Sequence, residues 1–190
     1  MNTFKALRVH AVEKGVEPRI EDICLDDLGG GEVVIRCAWS GINYKDALAI
    51  TGAGRIMRDM PLVAGIDVAG TVVESSADEF GEGDEVVVVS QGLGERRDGG
   101  FAEYARLPAK AVIPLPAGFR MRDAMALGTA GFTAGLAVHQ MEKNGQHPAN
   151  GPIAINGATG GVGSVAIDLF AGRGYEVHAI THKTNAEDYL

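Results

Sequence analysis

Apolar and polar positions alternate in short runs over the first 120 residues, a pattern typical of β-strands. In the run from Glu32 to Ala38 the apolar residues Val33, Ile35 and Cys37 alternate with their neighbours, which predicts one buried face. Glycine-rich turn segments at residues 29–31, 81–84 and 98–100 separate these runs. The predicted strands are Phe4–Val12, Glu32–Ala38, Val68–Glu74, Asp84–Ser90 and Phe101–Leu107.

Helical spacing interrupts the strands at Asn43–Thr51, and Gly52 is a plausible end for that helix. After Pro116 the pattern changes to helices at 121–125 and 129–142, followed by a strand at 153–156. A glycine-rich turn, a helix over 162–171 and a second strand at 176–181 complete a βαβ unit. We therefore predict a mixed α/β chain, with a β-rich domain at 1–120 and a nucleotide-binding portion at 121–190.

The turn after Asn156 has the composition of a phosphate-binding loop. The fingerprint G-x-G-x-x-G is present as residues 158–163, with Ala158 at the first position and Gly160 and Gly163 at the others. Small residues let backbone N–H groups approach a pyrophosphate at a helix N-terminus, and they let helix and strand pack closely. A lone glycine pattern is weak evidence, but this one follows an apolar strand and opens a helix. The alternative is a turn with a purely structural role.

The end of the second strand favours NADPH over NADH. An NAD site requires an acid about 20 residues after the turn for the ribose 2′-OH. Here the strand ends in Thr181, His182 and Lys183, and the first acid after them is Glu187. A hydroxyl, an imidazole and an ammonium group suit a 2′-phosphate better than a ribose diol. The alternative is that Lys183 is only a solvated charge.

Composition narrows the function classes. Hydrophobic residues make up 46% of the 190 residues and charged residues 22%, which is typical of a soluble globular protein. The net charge of −8 disfavours nucleic acid as a partner. No apolar run approaches the length of a membrane helix, and the first residues carry no apolar signal core. With only Cys24 and Cys37, we expect buried thiols, no disulfide framework and a cytoplasmic location.

Several stretches together resemble the medium-chain dehydrogenase/reductase superfamily. Within it, the chain resembles the acrylyl-CoA reductase branch, also known as YhdH-type quinone oxidoreductases. The resemblance rests on residues 43–52 (NYKDALAITG), 61–70 (PLVAGIDVAG), 80–86 (FGEGDEV), 99–103 (GGFAE), 128–134 (GTAGFTA) and the glycine turn. It implies a GroES-like β-barrel domain followed by the first βαβ portion of a Rossmann domain, with the active site in the cleft between the domains.

The same resemblance assigns site residues. It implies that Tyr44 contacts the nicotinamide end of NADPH and positions the cofactor or donates a proton. It implies further cofactor contacts by Thr133, Thr159, Gly160, Gly161, Val162, Thr181, His182 and Lys183. Asn43 is the second candidate catalytic residue, as a hydrogen-bond donor beside Tyr44, with a helix cap as the alternative. A packed tyrosine is the alternative for Tyr44, and a helix-interior hydroxyl is the alternative for Thr133.

The resemblance also implies a site without metal. The positions of the zinc ligands in zinc alcohol dehydrogenases correspond to Asn43, Ile66 and Ala130. Isoleucine and alanine cannot coordinate zinc, and a catalytic zinc needs about three protein ligands. Asp67 takes the place of an acid behind the zinc site, and we expect it to orient backbone groups.

The implied activity is hydride transfer from NADPH to the C=C bond of acrylyl-CoA or a similar short enoyl thioester. The alternatives are an NADPH-dependent quinone reductase and a non-catalytic dinucleotide-binding fragment. An anionic CoA substrate needs local positive charge, for which Arg55, Arg58, Arg96 and Arg97 are candidates. Family chains are longer and form homodimers. We therefore expect the isolated chain to bind NADPH weakly, to turn over slowly and to expose an apolar face.

Overall fold

A computed structural model describes residues 3–186. The strands are β1 (Phe4–Val12), β2 (Gly15–Ile23), β3 (Val33–Trp39), β4 (Leu62–Val63), β5 (Asp67–Ser75), β6 (Glu85–Val89), β7 (Tyr104–Leu107), β8 (Ile113–Pro114), β9 (Ile153–Asn156) and β10 (Val177–Ile180). The helices are α1 (Tyr44–Thr51), α2 (Met121–Lys143) and α3 (Gly161–Gly172). The chain divides into two compact units, Met1–Gly128 and Thr129–Leu190. The domain boundary predicted between residues 120 and 121 stays a prediction.

The first unit is built from two antiparallel sheets. One has three strands in the order β2-β1-β4, and the other has five in the order β7-β3-β5-β6-β8. Alternating valines of the central strands β5 and β6 form the main core with β3 and β7. Val33 and Ile35 of β3 belong to this core, as their alternation predicts. Val34 is buried as well, so the first half of β3 is covered on both faces.

The second unit contains the βαβ element. Strands β9 and β10 pair in parallel, from Val177 opposite Ile153 to Ile180 opposite Asn156. Helix α3 connects them and buries Ala166 and Phe170, and the Phe170 ring meets Tyr175 edge-on at 5.1 Å. Strand β9 has the predicted bounds, and α3 and β10 differ from the predicted elements by one residue at each end.

The apolar pattern misses one strand and does not identify the buried face of one helix. No strand is predicted over Gly15–Ile23, yet β2 pairs with β1 along its whole length. In α2, the large apolar residues Phe132, Leu136 and Met141 are exposed, while Ala134 and Val138 are buried. The small residues of that helix face the core because they let the helix approach its neighbours closely. Within residues 3–186 no helix has the length and apolarity to cross a membrane.

Candidate functional site

The turn between β9 and α3 provides a helix N-terminus that no side chain caps. Gly160 is the N-cap of α3, and as a glycine it has no side chain that could accept from the first N–H groups of the helix. A Cβ atom on Gly163 would lie 2.3 Å from the Gly157 carbonyl oxygen, so only glycine permits this close packing. Gly157 itself adopts a left-handed backbone with φ 69°. The turn thus suits a phosphate group, because the first N–H groups of a helix have no acceptor within the helix and lie at the positive end of its dipole.

A pocket of about 490 Å³ lies beside this turn, at the end of β10. It is lined by Thr159, Lys183, Asn185 and Ala186. The hydroxyl groups of Thr159 and Thr181 are 3.4 Å apart, and the Lys183 N–H donates to Thr181 Oγ1 at 3.2 Å. The structure therefore places three of the predicted residues together at one site.

Two other predicted cofactor residues, His182 and Thr133, do not line this pocket. His182 is exposed but does not line this pocket. Thr133 is exposed on α2, and its hydroxyl donates to the Thr129 carbonyl at 2.7 Å, as a helix-interior hydroxyl does. Asn185 is a pocket residue that the sequence reasoning missed, because no motif extends past Lys183. Glu187 lies outside the described residues.

Asn43 joins two buried carboxylates at the start of α1. Its side-chain nitrogen lies 2.8 Å from Asp67 Oδ2 and 3.3 Å from Asp46 Oδ2. Asp67 is fully buried and Asp46 is 2% exposed. The amide hydrogens of Asn43 therefore face carboxylates inside the protein. The predicted alternative of a helix cap is also present in part, since Asn43 is the N-cap of α1.

Asp46 connects α1 to the segment before β5. Its carboxylate accepts the Asn43 backbone N–H at 2.8 Å and the Ile66 N–H at 3.0 Å. Burial raises the pKa of Asp46, the nearby charge of Asp67 raises it further, and the hydrogen bonds from Asn43 and Ile66 oppose the rise. Ile66 is thus a buried apolar residue whose backbone, rather than its side chain, takes part in the network.

Glycines leave room for the Asp67 carboxylate. A Cβ atom on Gly128 would lie 2.5 Å from Asp67 Oδ2, and one on Gly41 would lie 3.0 Å from the same atom. Gly128 interrupts α2 with φ 49° and ψ −150°, a conformation that side chains avoid. The Ser40 hydroxyl donates to the Asp67 carbonyl at 2.6 Å. The Asp67 carboxylate thus lies against the Asn43 side chain, and its predicted role in orienting backbone groups stays a prediction.

Two large side chains beside Asn43 are turned to the outside of the first unit. Tyr44 is 80% exposed and Ile42 is 87% exposed. The packed-tyrosine alternative for Tyr44 is therefore wrong within the described residues.

Metal ligands are not clustered in the described part of the chain. No group of three or more His, Cys, Asp or Glu side chains that could hold a metal ion occurs within residues 3–186.

Comparisons with known proteins agree with this arrangement. Residues 29–117 match the alcohol dehydrogenase GroES-like domain family. The acrylyl-CoA reductase AcuI of Ruegeria pomeroyi is 44% identical over 189 residues, which cover 98% of this chain and 57% of the relative. YhfP of Bacillus subtilis, whose name describes a quinone oxidoreductase, is 47% identical over 187 residues, with 98% and 57% coverage.

Solved structures show the same fold. The YhfP structure with NAD bound matches with a TM-score of 0.95 at 46% identity, covering all of this chain and 57% of that one. The yhdH oxidoreductase from Salmonella enterica in complex with NADP matches with a TM-score of 0.94 at 41% identity, covering 97% and 57%. The chain spans 57% of the length of these relatives. It belongs to the medium-chain dehydrogenase/reductase family, in the branch of the acrylyl-CoA reductases and YhdH-type quinone oxidoreductases.

Proposed function

We propose that this protein reduces the activated C=C bond of acrylyl-CoA or a similar short enoyl thioester, with NADPH as cofactor and without zinc. The observation that carries the proposal is the uncapped N-terminus of α3 beside the pocket that contains Lys183. A helix N-terminus with close-packed glycines binds phosphate, and an adjacent ammonium group favours an additional phosphate on the ribose.

Thr159, Gly160, Gly161 and Val162 would hold the pyrophosphate, and Thr181, His182 and Lys183 would hold the 2′-phosphate. Asn185 joins this second group, since it lines the same pocket as Lys183. The solved structures do not decide between the two cofactors, because the YhfP structure contains NAD and the Salmonella enterica structure contains NADP. The preference for NADPH therefore rests on these residues of the chain.

When bound, NADPH supplies the hydride that adds to the β-carbon of the substrate. Tyr44 is the proposed catalytic residue, because its exposed hydroxyl is available to position the cofactor or to give the proton that the α-carbon requires. Asn43, first predicted to be catalytic, takes a positioning role in this proposal. Its amide is engaged with Asp67 and Asp46 and holds the start of α1, which carries Tyr44.

The absence of zinc in this proposal rests on residue chemistry. Ile66 and Ala130 have no side-chain atom that can bind a metal, and the neutral amide of Asn43 is a poor ligand for zinc. An enoyl thioester carries its own electron sink in the carbonyl group, so it needs hydrogen-bond donors for the enolate oxygen more than a Lewis acid.

The acyl-CoA substrate is supported by the name of the Ruegeria pomeroyi relative, and a quinone by the name of the Bacillus subtilis relative. NADPH oxidation with each acceptor separates these two candidates when it is measured on a chain extended to the full length of the relatives. We expect faster turnover of acrylyl-CoA, and a fall in kcat of about 100-fold for Tyr44→Phe.

Tyr175→Phe is the matched control, because it removes a tyrosine hydroxyl that is engaged within the second unit, where it donates to the Gln146 carbonyl at 3.1 Å. Faster turnover of the quinone would support the second candidate. Binding of NADPH without turnover of either acceptor would support the non-catalytic fragment.

A further inference from the structure

A second pocket of about 490 Å³ lies entirely within the first unit. It is bounded by the turn between β1 and β2, the C-terminal end of α1 and the loop that follows α1. Its apolar lining includes Val16, Ala49, Ile56 and Met60, and its charged lining is Arg55 and Arg58. This volume is within the range of small-ligand sites, and the mixture of apolar walls and guanidinium groups suits a flat ring system that carries phosphates.

The guanidinium groups of these two arginines are available to bind an anion. Both are exposed, and neither has a carboxylate within ion-pair distance in the part of the chain that the structure describes. Arg58 lies near Glu95, but Glu95 is paired more closely with Lys45, whose Nζ is 2.8 Å from Glu95 Oε2. The Arg58 backbone N–H donates to the Glu95 carbonyl at 2.8 Å, which fixes the loop without using the guanidinium group.

The other basic candidates are engaged in their own contacts. The Arg97 guanidinium donates to the Gln91 carbonyl, and Arg96 lies 4.0 Å from Glu95. On the opposite wall, Glu17 follows Val16 in the chain and pairs with Arg19 at 2.6 Å. The pocket therefore presents net positive charge on a protein whose overall charge is −8.

We propose that this pocket binds the adenosine 3′,5′-bisphosphate end of coenzyme A. The inference rests on the proposed function, and it names where the nucleotide end of the thioester substrate is held. The pocket includes Ala49 and Gly52 at the C-terminal end of α1, whereas Tyr44 begins the same helix. An eight-residue helix is about 12 Å long, a separation that the extended pantetheine arm of coenzyme A can span.

NMR titration of the isotopically labelled 190-residue chain tests this assignment directly. The probes are adenosine 3′,5′-bisphosphate, the isomer found in coenzyme A, and adenosine 2′,5′-bisphosphate, the isomer found in NADPH. We expect the 3′,5′ isomer to shift the resonances of Val16 and of the loop from Gly54 to Arg58. We expect the 2′,5′ isomer to shift those of Thr159 and Lys183 instead.

Variants sharpen the test. The double variant R55Q/R58Q should raise the Kd for the 3′,5′ isomer about tenfold and leave the Kd for the 2′,5′ isomer within a factor of two. Arg36→Gln removes one arginine charge from an exposed position on β3 outside the pocket and should leave both values within a factor of two. No shift in the loop, or an unchanged Kd in the double variant, would overturn the assignment.

Failure of the proposed function shows in a different measurement. Reduction of acrylyl-pantetheine, which lacks the nucleotide, depends on the hydride-transfer site and not on this pocket. In the chain extended to the relatives' length, R55Q/R58Q should lower the preference for acrylyl-CoA over acrylyl-pantetheine about tenfold. An unchanged preference would overturn the pocket assignment, even where both thioesters are reduced.

Discussion

The side-chain nitrogen of Asn43 lies 2.8 Å from Asp67 Oδ2, where it links the start of α1 to the start of β5. The same nitrogen lies 3.3 Å from Asp46 Oδ2, so one neutral amide stands between two buried acids. A buried carboxylate is costly unless donors surround it, and Asn43 supplies donors to both. Because Asn43 directly precedes Tyr44, this network fixes the backbone that carries the proposed catalytic residue.

Replacing Asn43 should therefore destabilise the fold. We expect Asn43→Ala to lower the free energy of unfolding by about 2–3 kcal/mol, because both acids lose a donor. Asn43→Asp should cost more, since it adds a carboxylate beside two others. Urea denaturation measures both effects.

Asn144→Ala is the control for Asn43. It removes an exposed amide that donates to the Gln140 carbonyl at 2.7 Å, and it should cost less than about 1 kcal/mol. Equal effects at positions 43 and 144 would contradict the role of the network.

Gly128 should not tolerate a side chain. A Cβ atom there would collide with Asp67 Oδ2, and the φ of 49° with ψ of −150° is strained for alanine. We expect Gly128→Ala to lower the melting temperature, at a cost of about 2–3 kcal/mol.

Gly135→Ala provides a comparison within the same helix. Nothing lies within 4 Å of the Cβ that Gly135 would gain, so this substitution should stabilise the protein by about 1 kcal/mol. A Gly128→Ala variant as stable as Gly135→Ala would show that Asp67 does not need the space.

Asp46 should give the protein a distinct pH dependence. Burial raises its pKa in the folded state, so the folded protein keeps a proton that the unfolded chain has already lost. The stability from this group is fully present below the ordinary aspartate pKa and is lost as the pH rises through the raised value. The difference in unfolding free energy between wild type and Asp46→Asn should therefore fall as the pH rises above about 4, the ordinary aspartate pKa.

Denaturant titrations of the two proteins across this range measure that difference. A difference that increases with pH would mean that the hydrogen bonds from Asn43 and Ile66 outweigh burial.

The two cysteines should differ in reactivity. Burial raises the pKa of the Cys37 thiol to about 12, so almost no thiolate forms at neutral pH. Both cysteines are partly exposed rather than fully buried as expected, and Cys24 Sγ lies 3.2 Å from Asp27 Oδ2. Iodoacetamide at about pH 8 should label Cys24 first and Cys37 only after unfolding, as mass spectrometry of the peptides would show. Labelling of both at one rate in the folded protein would contradict this.

The elements that carry cofactor chemistry were predictable because their signals are local. The turn at residues 157–163 sits between a short apolar strand and a helix, and each of these has its own periodicity. Strand β2 was missed for a physical reason. It is an edge strand with the exposed residues Glu17, Pro18 and Arg19, and edge strands neither need an apolar face nor exclude proline.

The Asn43 network was beyond sequence reasoning because its contacts are not local. Asp67 is 24 residues from Asn43 in the chain, and Gly128 is farther still. The resemblance predicted an orienting acid at Asp67. The spacing of residues gives no indication that an asparagine amide stands between two carboxylates, or that Gly128 adopts a left-handed backbone.

The central claim is that the turn before α3 and the adjacent Lys183 bind NADPH. Its most direct test is the Kd of NADPH and of NADH, measured by calorimetry on the chain extended to the relatives' length, with Lys183→Gln and the exposed control Lys143→Gln. We predict that NADPH binds at least about tenfold more tightly than NADH, that Lys183→Gln removes most of this preference, and that Lys143→Gln leaves it intact. Equal affinities for the two cofactors, or no binding of either, would contradict the account.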